Sequence, residues 1–400
     1  MRRISVVGLL FALLSTAACP VRAELPELPP VRAELPELPR VWVEANSSIW
    51  LTILEQNENG LTQQGSRDEA AQEASGFNMK QGRVALLFSG HDDKVEALVR
   101  LRLEERTDLL DFWGRYRHAP WLQITLGQQK IPSTHEVLVP DHLTDFITRT
   151  TFGQNLVNYS LAQTPYISSL MSINSYNRDL GVALEGEIPG GEKPLGRYFA
   201  MISNGIGSNN YIGADESSEF LWSNQFGDYL YGLRLEADPL EWVTVGGHVT
   251  YNDHDNAVLY DKKSVVDFNR TAWSTDVRVA TPWATRLEAF YGSGEGRDFL
   301  EGQRYRFDFD GWAVWVIQAL LENRLELGIR YDEFGQEFFN DGNKTEQRNW
   351  TFGVNYRPLE YIRIQLNYIL KDTHNNFAKD VNDNILFTNF QFLFDTWLTK

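Results

Sequence analysis

Five arginines, Arg83, Arg100, Arg102, Arg115 and Arg117, fall in three successive segments whose apolar residues recur at every second place. In "VEALVRLRLEER" (95–106), Val95, Ala97, Val99, Leu101 and Leu103 are separated by Glu96, Arg100, Arg102 and Glu104. Read as a strand, this stretch has one apolar face and one charged face. The planar guanidinium fork suits oxyanions, so arginines grouped on one face point to a path for anions. These five are the candidate solute-binding residues. Acids share their parity elsewhere: Glu44, Glu96, Glu104, Asp111, Glu185, Glu187, Glu236, Asp276, Glu288, Glu326 and Asp332. The wall as a whole is therefore near neutral, and crossed Arg–acid pairs without ion preference are the competing reading. A turn centred near Asp92-Asp93 sets Arg83 opposite Arg102. Like charges facing each other across a ladder are destabilising, so the pair needs a partner, and Asp111 on the next strand is predicted to supply it.

No catalytic residue emerges. His248 and Ser274 lie on adjacent predicted strands, but a lipid hydrolase needs its nucleophile, base and orienting group at the lipid boundary. Both residues fall instead on the parity of the arginines. "NDHDN" (252–256) and "DVNDN" (380–384) are oxygen-rich, as calcium loops and solvated loop tips both are. The phosphate-binding Gly-x-x-x-x-Gly-Lys loop, the His-Glu-x-x-His zinc motif and the dinucleotide fingerprint are absent from the sequence. The single cysteine, Cys19, lies in the leader, which leaves the processed chain without disulfides, thiolate zinc or covalently attached haem. No cofactor is expected. A net charge of −17 argues against nucleic acid as a partner.

The chain opens as a secretory signal does: Arg2 and Arg3, an apolar run from Ile4 to Ala18, and Val21-Arg22-Ala23 as a cleavage site. Residues 1–23 are read as a signal peptide. A lipoprotein reading at Cys19 would put Thr16 where a leucine is usual. "PVRAELPELP" occupies 20–29 and again 30–39, so 24–40 is read as a Pro-rich periplasmic tether. The remainder, 41–400, contains no apolar run of about 18 residues.

Alternation recurs along it in sixteen segments: 41–55, 77–90, 94–105, 108–118, 121–130, 178–188, 196–204 and 228–238, then 241–252, 268–281, 284–295, 304–320, 323–334, 347–357, 360–372 and 382–395. Every second connection is a short turn, as in "DPLE" (238–241) and "RPLE" (357–360). Most of the others are long and polar: 57–76, 131–177, 205–227, 253–267 and 335–346. The fold class is therefore all-β, a transmembrane antiparallel barrel with short periplasmic turns and long extracellular loops. Tyr229, Tyr251, Tyr291, Tyr331, Trp350 and Tyr368 sit near the long loops, and Trp121, Trp242, Trp283 and Tyr361 near the short turns, as two interfacial belts require. The apolar face of the first stretch then meets lipid, and its arginines line a water-filled lumen. Residues 131–177 are too long for an ordinary loop and keep Val137, Leu138, Val139, Leu143, Phe146 and Ile147. They are predicted to fold inward and constrict the lumen. The 205–227 loop carries Asp215, Glu216 and Glu219 without a single Lys or Arg.

"LGQQKIP" (126–132), "RDLGVALEGEI" (178–188), "GRYFAMISNGIG" (196–207), "YGLRLEADPLEW" and "NYRPLEYIRIQLNY" together resemble the phosphate-selective porins O and P of Gram-negative outer membranes. The first is similar to that family's Gly-Gln-x-Lys-x-Pro strand end ahead of the constriction loop. The resemblance implies a trimeric sixteen-stranded barrel, surrounded by outer-membrane lipid and lipopolysaccharide, with an arginine ladder and an inward loop. It also implies passive diffusion of small hydrophilic solutes, anions such as phosphate among them. Two features depart from the family: "DTWLTK" follows the alternating "FQFLF" (390–394), and the lumen carries mixed charge. Some similar barrels house cytochromes as electron conduits, which is the alternative reading.

Overall fold

The computed structural model describes residues 40–56, 76–90, 93–103, 108–157, 177–191, 193–205, 228–258, 265–300, 303–321, 324–339, 342–376 and 381–397. The predicted signal peptide and nearly all of the tether lie outside these residues, as do most of 57–76 and 205–227 with its three acids.

All sixteen predicted strands are present. They are β1 (Arg40–Gln56), β2 (Gly76–Gly90), β3 (Val95–Arg102), β4 (Asp108–Ala119), β5 (Leu122–Lys130), β6 (Arg178–Ile188), β7 (Gly196–Ser203) and β8 (Leu230–Leu240). The second half holds β9 (Val243–Val258), β10 (Val265–Ala280), β11 (Thr285–Leu300), β12 (Gln303–Leu320), β13 (Leu325–Phe338), β14 (Asn343–Leu359), β15 (Ile362–Asn375) and β16 (Val381–Trp397). Each pairs antiparallel with its neighbours, and β1 closes the barrel on β16. Closure removes the two free edges that an open sheet would present to lipid. Arg40, assigned to the tether on sequence, is the first residue of β1. The described residues after "FQFLF", Asp395, Thr396 and Trp397, stay in the sheet: the ladder runs on until Trp397 faces Trp42.

Two of the expected loops are mostly strand. The β9–β10 ladder continues through Asn252–Val258 and from Val265, and β13 and β14 run to Phe338 and from Asn343. The expected loops 253–267 and 335–346 were too long because apolar alternation stops where lipid stops, whereas backbone pairing needs no apolar face. "NDHDN" and the described part of "DVNDN" accordingly lie in β9 and β16. Among the described residues no group of three or more His, Cys, Asp and Glu could hold a metal ion.

The two faces separate as the period-2 pattern predicts. Along β14, Gln347, Asn349, Thr351 and Asn355 are buried inside, while Trp350, Phe352, Val354 and Tyr356 are exposed outside. On the outer face Tyr331 lies between Trp312 and Trp350, with ring centroids 5.1 and 4.8 Å away. Trp121, Trp283 and Tyr361 are exposed near the short turns. Trp242 is likewise exposed near a short turn. It sits in the turn before β9 and lines a cavity inside the barrel.

Candidate functional site

The segment after β5 enters the lumen, as predicted. Its described part contains α1 (His135–Leu138), a 3-10 turn (Asp141–Leu143) and α2 (Thr151–Val157). Two of its phenylalanines are plugs. The Phe152 ring sits against Gly292 and Gly311, where an added Cβ would come within 2.3 and 2.9 Å of it. Those glycines face each other directly across the β11–β12 ladder. The Phe146 ring lies against Gly328 and Gly353 in the same way, again a directly opposed pair, on β13 and β14. Each socket exists because no side chain fills it. Around Phe152 the wall is aromatic, with Phe290, Phe309 and Phe334 centred 5.5, 6.1 and 6.4 Å from it. Burying each phenylalanine contributes roughly 1.5–3 kcal/mol to docking. Val137, Phe146 and Ile147 are buried as expected, but Leu143 is exposed at 56%.

Polar contacts tie the loop to strands around the barrel. Asp332 on β13 accepts from the Thr151 amide at 3.2 Å, placing a carboxylate at the start of α2. Arg363 donates to the carbonyls of His142 and Thr144 at 3.1 and 2.8 Å. Arg330 donates to Thr148 O at 2.7 Å, and Arg234 to Ser133 O at 3.0 Å. Asn367 accepts from the Ile147 amide at 2.7 Å, and Arg286 pairs with Asp145 at 2.5 Å. The inward arginines of β8 to β15 thus largely hold the loop.

The five candidate arginines divide into two groups. Arg83, Arg100 and Arg102 line one cavity beside the loop, with Lys130, Arg149 and Arg178. Its carboxylates are Glu44 and Asp141 in the wall, with Asp111 and Asp108 behind them. Arg83 does face Arg102 across the ladder, but Asp111 is not their partner. Arg83 pairs with Asp141 of the loop at 2.5 Å, and Arg102 pairs with Asp108. Asp111 binds Arg100 at 3.0 Å and Arg178 at 2.7 Å. Arg115 and Arg117 line a different part of the wall, paired with Glu185 and with Glu96 (2.8 Å) respectively.

Lys130, Arg149 and Arg178 were not among the sequence candidates. Lys130 and Arg178 are the end residues of β5 and β6 and face each other across the ladder, a second like-charge pair and so a readable signal. Lys130 donates to the carbonyls of Val137, Leu138 and Val139 at 3.0, 2.7 and 3.2 Å, capping the end of α1. Arg149 pairs with Asp141, which is thereby shared by two arginines. Burial pushes the Asp141 carboxyl up, but Arg83, Arg149, Lys130 and Arg178 outweigh it and hold it well below the usual carboxylate range. Burial, then Arg278, lowers His135 to about 4, and burial also lowers His142 against the pull of Glu44. Both loop histidines are neutral at pH 7.

His248 Nδ1 lies 2.6 Å from Ser274 Oγ, with both side chains buried on the lumen side. Among the described residues the other ring nitrogen has no hydrogen-bond partner, and no third group there orients the imidazole.

A closed sixteen-stranded barrel with a loop clamped across its lumen and aromatic side chains outside is the fold of the outer-membrane porins. Within that class, the family matched is that of the phosphate-selective porins O and P, whose model covers residues 298–394, from the end of β11 through most of β16. This agrees with the resemblance seen in the strand motifs. The fold is similar to that of solved porins at low identity. An anion-selective porin from Comamonas acidovorans is 9% identical, with a TM-score of 0.58 over 88% of this chain and 99% of that one. The trimer form of OmpT, an outer membrane protein of Vibrio cholerae, is 12% identical with a TM-score of 0.56, over 90% of this chain and 100% of that one. Salmonella typhi OmpF, in complex with daunomycin, is 12% identical with a TM-score of 0.54, over 88% and 97%. No curated protein matches by sequence.

Proposed function

We propose that the chain forms a homotrimeric, water-filled channel for passive diffusion of small hydrophilic solutes, in which the wall of β2 to β6 favours anions. The observation that carries this reading is the cavity of Arg83, Arg100, Arg102, Lys130, Arg149 and Arg178, where five arginines and a lysine face four carboxylates. Charges in a confined, partly desolvated passage act on ions far more strongly than in bulk water. An excess of even two positive charges would bias passage toward anions, phosphate included. The family's name and the anion-selective Comamonas porin support this, and the OmpT trimer supports the assembly. A barrel housing a cytochrome finds no support, because the loop occupies the lumen such a partner would need.

Single-channel recording in a planar bilayer under a salt gradient tests the reading. The wild-type reversal potential should indicate anion preference. Replacing Arg83, Arg100 and Arg102 together by Gln leaves Glu44, Asp108, Asp111 and Asp141 in place and should make the channel cation-preferring. Gln at Arg115 and Arg117, each paired with one carboxylate, should shift the potential much less. Equal shifts would reduce the protein to a pore of balanced pairs.

A further inference from the structure

A second cavity, of about 440 Å³, lies between the loop and the ends of β9 to β14 beside the short turns. That is the size of a pocket for a small organic solute. Four arginines line it, each with a carboxylate partner, and Arg286 and Arg357 share Glu326. Arg278 binds Glu236 at 2.7 Å, and Arg286 binds Asp145 at 2.5 Å and Glu326 at 3.1 Å. Arg330 binds Asp332 at 3.3 Å, and Arg357 binds Glu326 at 3.2 Å. Glu288 lines the same cavity and has no hydrogen bond or ion pair among the described residues. Glu136, Asp276 and Asp145 are carboxylates near it, opposed chiefly by Arg278, which also binds Glu236. Trp315 stands directly across the ladder from Glu288, and Val139, Leu143, Phe146, Trp242 and Leu287 supply apolar surface.

We propose that this periplasmic-side cavity binds an organic cation, an amine on an apolar body, with Glu288 as the counter-charge. A half-buried carboxylate set among other carboxylates gains most from a positive charge of its own, and the arginines of the lining are paired with other acids. The aromatic and aliphatic lining favours an amine with a hydrophobic body over a hydrated metal cation, and the Trp faces add cation–π attraction. Each arginine of the lining already has a carboxylate partner, which weakens its pull on a competing anion. The cavity therefore selects the opposite charge from the basic group at β2 to β6.

Calorimetric titration of the full chain in detergent with phenethylammonium chloride tests this directly, with phenethyl alcohol and hydrocinnamate as the neutral and anionic counterparts. The expected result is saturable binding of the ammonium alone. Affinity should fall about tenfold or more in Glu288→Gln and be largely kept in Glu288→Asp, as loss of a charge-assisted contact requires. Equal binding of the alcohol by the wild-type chain would overturn the proposal without recourse to any variant, as would undiminished affinity in a folded Glu288→Gln barrel. Titration needs no ion flux, so failure of the channel reading would leave this result interpretable.

Discussion

Asp141 is the residue on which the basic cavity turns, because Arg83 from the wall and Arg149 from the loop share its carboxylate. Its depressed pKa fixes the sign of its pH dependence: the contribution is complete above the usual carboxylate pKa and is lost only as the pH falls through the lower, docked value. This clamp therefore survives mild acid. Asp141→Asn frees both arginines, so the reversal potential should move further toward anions, and conductance should rise as the loop loosens. An unchanged potential would mean that Asp141 is only structural. Sequence made the opposition of Arg83 and Arg102 legible through strand register. Their partners were not legible, because Asp141 reaches Arg83 only through the path of the loop.

At the scale of elements, the loop is held by aromatic plugs and neutral histidines, and the two respond to different tests. Phe152→Ala removes a ring buried against a glycine pair and three other phenylalanines, at a cost of about 3–5 kcal/mol. Gly292→Val fills the socket instead. Both should release α2, seen as higher single-channel conductance and faster proteolysis within 131–157. The histidines make docking pH-sensitive. Docked His135 titrates near 4 and a released histidine near 6.5, so the docked loop binds fewer protons. Docking is at full strength above pH 6.5 and weakens as the pH falls toward 4, where a protonated His135 would face Arg278 and Arg234, with Asp276 and Glu236 opposing them. At pH 5 the loss is about 2 kcal/mol, less whatever solvent screening recovers. Conductance noise should therefore grow between pH 6.5 and 4.5, and His135→Gln should flatten that dependence. The inward course of the loop was legible from its apolar residues. Its seat was not: Phe307, Phe309, Ala313, Trp315 and Ile317 put apolar side chains on the lumen face of β12, which blurs alternation there, and the loop residues that cover them lie more than a hundred positions earlier in the chain.

Over the whole molecule, the period-2 pattern made all sixteen strands legible because lipid and water divide the two faces so sharply that a one-residue slip would exchange them. It failed where both faces meet water, at the upper ends of β9, β10, β13 and β14. The wall is also uneven in chemistry. From β13 to β16 it carries an amide relay in which Asn389 donates to Gln365 at 2.8 Å, Gln365 to Asn355 at 3.0 Å, and Asn355 to Glu326 at 3.3 Å. Among the described residues the charged wall of β2 to β6 has no such run of neutral amides, so a solute passing the loop would meet different surfaces on its two sides. The division between lipid and lumen can be tested by placing one charge on each side of the sheet. Leu101 lies on the apolar face of β3, and Leu101→Arg should cost about 2–4 kcal/mol of assembly near mid-membrane. Gln123 on β5 lines a lumen cavity and faces Glu185 across one ladder and Arg117 across the other, so the acid offsets the like charge and Gln123→Arg should cost less than about 1 kcal/mol. The readout is the temperature at which the folded, fast-migrating form is lost on a gel. A lower temperature for Leu101→Arg alone is expected, and equal losses would mean that the faces of β3 or β5 had been assigned the wrong way round.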